Sequence, residues 1–192
     1  MNIEQTRLEA QDSSTPHQRL ALLATSPDLE TCLNVANNPH TPTATLSQLA
    51  QKKDPFTLIY VANNPNTTAK ILAQLAAKIC PKSEAIHLYL KVCHAILNNP
   101  KTTTETLEKL ATSRYPRHQV AFMRLLRHPN TTPRIRKIID FVRGNDNTDP
   151  DLLKELATNP SSFIRSLVKS DRNTNSDILR EQAADSDPQA AS

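Results

Sequence analysis

The residues of this 192-residue chain best able to do chemistry are basic, and they are clustered. Between positions 114 and 143 stand Arg114, Arg117, Arg124, Arg127, Arg134, Arg136, Lys137 and Arg143 against one acid, Asp140. The stretch is therefore +7, and with a net charge of +4 the rest of the chain sums to −3. Seven of the eight bases are arginine. A guanidinium grips carboxylate or phosphate through paired donors, whereas an ammonium acts as a point charge. The chemistry implied is docking of an acidic protein or of a nucleic-acid backbone. The plainer alternative is a solvated face, or a set of partners for acids in neighbouring segments. Arg124 and Arg127 fall between the apolar Phe122, Leu125 and Leu126 and are expected to point outward. Arg134, Arg136 and Lys137 fall in the same way among Ile135, Ile138 and Ile139. These five bases are the candidate binding residues.

Other chemistry is missing from the sequence. There is no Gly-rich phosphate loop, no His-Glu-x-x-His, no Cys-x-x-Cys and no Gly-x-Ser-x-Gly. Asp28, Asp54 and Asp140 read as solvated carboxylates, and His40 and His128 as surface or capping groups in turns. Cys32, Cys80 and Cys93 are odd in number and widely spaced, which predicts reduced core thiols rather than a disulfide framework. With His87 and His94 they match no zinc spacing. No enzyme activity, cofactor or metal is expected. No apolar run approaches the ~20 residues of a membrane span, and the start of the chain is polar, so a cytoplasmic protein without membrane contact is expected.

The elements that must position the basic residues are helical and repeated. The chain has one Gly and 14 Pro. That argues against tight hairpins and phosphate loops and for many short helices bounded by proline. Val35-Ala36-Asn37-Asn38-Pro39 recurs 26 residues later as Val61-Ala62-Asn63-Asn64-Pro65, then as Ile96-Leu97-Asn98-Asn99-Pro100 and Leu125-Leu126-Arg127-His128-Pro129. Each is followed by threonine and then, in the three clearest copies, by Leu-x-x-Leu-Ala, as in Leu46 to Ala50. Apolar anchors fall at Leu20, Leu46, Leu72, Leu107, about 136, Leu153 and Leu179. The copy holding Cys80 and Cys93 carries about nine extra residues, and the step into Leu153 is about nine short. Asn-Asn-Pro should close a short first helix. Thr41 and its counterparts should cap the second, with capping boxes at Thr102 and Thr174. The motif asparagines read as turn and cap residues.

The string Val-Ala-x-Asn-Pro-x-Thr-Pro-x-x-x-Leu-x-x-Leu-Ala resembles the repeat of the variant leucine-rich repeat family. Residues 35–50 fit it closely, 61–76 well and 96–111 fairly; 125–140 and 168–183 fit poorly. The resemblance implies a short 3₁₀ helix paired with an α-helix in each repeat, stacked into a right-handed superhelix. The first helices here look long enough to be partly α, as in armadillo or HEAT repeats. The cysteine cluster that holds an N-terminal iron–sulfur centre in a member of that family has no counterpart here. The expectation is an all-α, right-handed superhelical α-solenoid of about seven two-helix repeats over residues 1–184, with a disordered tail at 185–192. It would be a non-catalytic scaffold for a protein partner. The alternative is a nucleic-acid-binding module through the basic repeat at residues 114–143.

Overall fold

A computed structural model describes residues 2–78, 86–113, 118–144, 148–178 and 180. Cys80, Arg114, Arg117, Leu179 and the expected tail at 185–192 lie outside the described residues. All regular structure among the described residues is helical, without a strand. The helices are α1 (Ile3–Gln11), α2 (His17–Leu23), α3 (Leu29–Asn37), α4 (Thr43–Leu49), α5 (Pro55–Asn63) and α6 (Ala69–Lys78), followed by α7 (Ile86–Asn98), α8 (Thr104–Ala111), α9 (Gln119–Arg127), α10 (Pro133–Val142), α11 (Pro150–Ala157) and α12 (Ser162–Ser170). Residues 176–178 and 180 are helical too.

Helices this short are marginal in water and must be held by burying an apolar stripe. Leu46 with Leu49, Leu72 with Leu75, and Leu107 with Leu110 supply it, each 2% exposed or less. The anchor expected near 136 is displaced. Arg136 is exposed, and Ile135, at the third helical position, is fully buried with Ile138 and Ile139. The first helices α3, α5 and α7 are α-helical, not the 3₁₀ segments that the resemblance implies.

The contacts group the chain into two compact units, Met1–Thr106 with His128–Asn130, and Leu107–Arg127 with Thr131–Ser192. In the first unit α1 packs on α3, α3 on α5 and α5 on α7. Between these, α2 packs on α1 and α3, α4 on α3 and α5, and α6 on α5 and α7. In the second unit α11 packs on α12. The shortfall before Leu153 is visible here, because only seven residues, 143–149, lie between α10 and α11.

The helix ends differ from the sequence expectation in an instructive way. Thr41 does not cap α4; its hydroxyl donates to the Val35 carbonyl at 2.6 Å, and the N-cap is Pro42. Thr102 and Thr174 donate in the same way to Ile96 and Val168 carbonyls, each at 2.6 Å, so the two capping boxes do not form. Thr67 does the same to Val61. Each hydroxyl thus adds a second donor to a carbonyl of the last turn of the first helix, which also accepts the N–H three residues on. The second helices take their side-chain caps one residue later, where Thr68, Thr103 and Thr132 accept from the N–H three residues on.

Asp28 and Asp54, expected to be solvated, are the N-caps of α3 and α5. Each accepts both the N–H and the hydroxyl of a fully buried threonine, Thr31 and Thr57, at 2.7–2.9 Å. Asp28 also receives Arg7 of α1 through two bonds of 2.9 and 2.7 Å. The Arg7 guanidinium, the Thr31 hydroxyl and its N–H hold the Asp28 carboxyl well below the usual carboxylate range. A depressed folded-state pKa means that the unfolded chain binds the proton first, so this contribution is complete above about pH 5 and is lost as pH falls through the carboxylate range. Asp28→Asn should therefore lower stability at neutral pH and flatten the acid limb of a melting-temperature profile. An unchanged acid limb would show that Asp28 contributes nothing to it.

The motif asparagines do more than close turns. Asn38 is 2% exposed, and its amide nitrogen donates to the carbonyls of Ala10 and Asp12 in the preceding copy, at 3.0 and 2.9 Å. Asn64, also 2% exposed, donates to Ala36 and Asn38, both at 2.8 Å. Asn99 donates to Ala62 at 2.8 Å. His128 takes the next place, with Nε2 against the Asn99 carbonyl at 3.1 Å and Nδ1 accepting from Asn130 N. Because Nδ1 accepts, Nε2 carries the proton in this arrangement. His128 is thus buried, not a surface group. The result is a ladder of side-chain rungs, at Asn38, Asn64, Asn99 and His128, that fastens each of these copies to the backbone of the one before.

Candidate functional site

The helical frame carries the candidate bases on α9 and α10. Within the second unit the Arg134 Nε donates to Glu108 of α8 at 2.8 Å, and Nη1 pairs with Glu155 of α11. Lys137 reaches Asp149, the N-cap of α11, at 3.1 Å. The geometry feeds back on the titrating groups. Glu155 first and Glu108 second raise the Arg134 guanidinium above its ordinary value. Arg134 lowers Glu155, and Lys137, with the Asp151 N–H, lowers Asp149. The outward patch imagined from the sequence is thus partly an internal network that ties α10 to the helices on either side.

The other three bases differ from these. Arg124 is half-buried, with its Nε shielded from solvent. Arg136 is exposed and donates to the Leu126 carbonyl at 3.1 Å. Arg127 is exposed and makes no contact with a described residue that neutralises it. Outside the candidate set, Arg143 lies over the Phe122 ring, 3.9 Å from its centroid, a cation–π contact that holds the end of α10 on α9. Gly144, the only glycine of the chain, follows at φ 87° and ends the helix in the left-handed conformation that glycine adopts freely.

These pairs are mostly exposed, and such pairs are worth about 0.2–1 kcal/mol each at low salt. Arg134→Gln should cost about that much per lost pair in a thermal or urea unfolding measurement, and less at high salt. Arg127→Gln should be neutral within about 0.5 kcal/mol. If Arg134→Gln were as neutral as Arg127→Gln, the network would hold nothing together.

Cys32 and Cys93 are buried. Among the described residues no group of three or more His, Cys, Asp and Glu side chains could hold a metal ion, and no helix is long and apolar enough to cross a membrane.

One surface escaped the sequence reading. On α5, Phe56 and Tyr60 are 44% and 38% exposed, on the same helix face as the exposed Asn63. At the foot of this face an open cleft of about 340 Å³ is lined by Asn63, Asn64, Pro65, Asn98, Asn99, Pro100 and Lys101. From 55 to 104 the chain has five lysines and a single acid, Glu84. The signal was present in the sequence, diluted over two copies where the arginine run is concentrated in one.

Comparison with family models, with curated proteins and with solved structures finds no match for this chain.

Proposed function

We propose that the chain is a non-catalytic binding scaffold: a right-handed superhelical α-solenoid of about seven copies, of the variant leucine-rich repeat kind, with residues 1–184 as one domain, acting in the cytoplasm on a protein partner. The observation that carries this reading is the ladder. Its buried rungs at Asn38, Asn64 and Asn99 are constant, whereas exposed positions on the packed helices differ, as at Leu8 of α1, Tyr60 of α5 and Lys91 of α7. A constant frame with variable outward residues is what a stacked repeat needs to recognise an extended partner. Small-angle scattering tests the stack. A compact chain of this length has a radius of gyration of about 16 Å, and the stack should exceed that clearly. Affinity capture from the source cell, with and without nuclease, tests the function. A protein retained after nuclease supports the scaffold, and capture that nuclease abolishes rejects it in favour of nucleic acid.

The second reading, nucleic-acid binding through the basic repeat, is favoured by Arg127 and Arg136, which are exposed and held by no described carboxylate. It requires binding of duplex DNA that weakens steeply with salt, with a slope set by the number of phosphates neutralised. Absence of binding at low salt would remove it.

A further inference from the structure

Among the asparagine rungs the one between α5 and α7 is the looser; the His128 rung that follows also reaches one carbonyl, that of Asn99. Asn38 and Asn64 each bridge two carbonyls of the preceding copy, but Asn99 reaches Ala62 alone. A second rung, two residues on, loosens in parallel. Asn66 bridges the carbonyls of Pro39 and Thr41, and Asn130 those of Pro100 and Thr102, at 2.7–3.4 Å. Lys101 stands at the corresponding place between them and reaches only the Pro65 carbonyl, at 2.6 Å. Among the described residues no side chain donates to the carbonyls of Asn64 and Thr67 as Asn64 and Asn66 do to their counterparts Asn38 and Thr41; the Asn64 carbonyl keeps the Thr67 N–H at 3.0 Å. The cleft lies beside this opening, lined by Asn63 and Asn98 as well as Lys101.

We propose that this cleft and the α5–α7 face above it form a docking site for an extended acidic peptide segment of a partner protein. The proposal rests on the scaffold reading and gives its partner a chemistry. Three features choose the occupant. A peptide backbone alternates N–H and C=O groups, and the opening offers both complements: two under-used carbonyls as acceptors, and the Asn63 amide and Lys101 ammonium as donors. Phe56 and Tyr60, one turn apart, offer an apolar platform for a side chain of that peptide. The charge leans basic, since neither α5 nor α7 contains an acid and the nearby Asp54 carboxylate, the N-cap of α5, is engaged by Thr57; the ladder register sets the exposed Lys91 of α7 level with Phe56 of α5. Two lysines beside open carbonyls suit scattered carboxylates better than a continuous phosphate backbone, because those carbonyls would repel phosphate oxygens.

The test uses the full chain and a fluorescein-labelled peptide of about a dozen residues, rich in Glu with one central Phe, followed by anisotropy at low salt. Saturable binding is expected, weakened about tenfold or more by Lys91→Glu and by Asn63→Ala. Lys169→Glu, on α12, should leave it within about twofold. Both site residues are exposed, so circular dichroism should show unchanged helicity. Failure of the peptide to saturate overturns the proposal, as does equal binding by parent, Lys91→Glu and Asn63→Ala. Displacement by oligothymidylate that binds more tightly than the peptide overturns it in favour of single-stranded nucleic acid. A failed peptide titration beside a large radius of gyration and a nuclease-resistant protein capture would sink this site and leave the scaffold standing.

Discussion

Leu72→Ala should destabilise the protein by about 2–5 kcal/mol, read as a fall in the midpoint of urea unfolding. Leu72 is fully buried on α6, between α5 and α7, with Ile71 and Leu75 buried beside it. Truncation removes the transfer free energy of the lost atoms and leaves a cavity among fully buried side chains. Few residues can move in to fill it, which places the expected cost above that of a surface change. An unchanged midpoint would mean that Leu72 is not an anchor and that the repeat register is wrong.

Asn64→Ala should cost about 2–4 kcal/mol, although it deletes no apolar atom. The amide nitrogen serves two buried carbonyls, Ala36 and Asn38, and the amide oxygen accepts from Asn66 N at 2.9 Å. Alanine leaves those carbonyls enclosed and short of a donor, at about 1–3 kcal/mol for each buried group left unpaired. Its neighbour Asn63 is exposed, and Asn63→Ala should stay within about 0.5 kcal/mol. The contrast between adjacent, identical residues is the decisive reading. Equal effects would show that the ladder is incidental to stability.

Those two residues also show how far the sequence could be read. The Leu-x-x-Leu-Ala stripes were legible because burial on a helix has a period, and Leu46, Leu72 and Leu107 lie where that period places them. The doublet Asn63-Asn64 has no such signal, because which amide turns inward depends on where the preceding copy presents its carbonyls. Thr41 misled for a related reason. A hydroxyl at a helix boundary can accept from the helix that follows or donate to the one before, and the spacing is the same for both. The Asp28 and Thr31 pair was within reach, as an acid three residues before a threonine at the head of an apolar run. The partners of Arg134 are 26 and 21 residues away, beyond any local pattern.

Every full rung of the ladder has its donor on a side chain of one copy and its acceptors on the main chain of the copy before it. A main-chain carbonyl is present whatever residue bears it. The fastening therefore asks nothing of the neighbour's side chains, and a copy gained or lost in frame brings its own fastener with it. Gene segments encoding single copies could be duplicated or excised without matched changes next door. The long copy before Asn99 and the short step between α10 and α11 are the irregularities that such a history would leave behind.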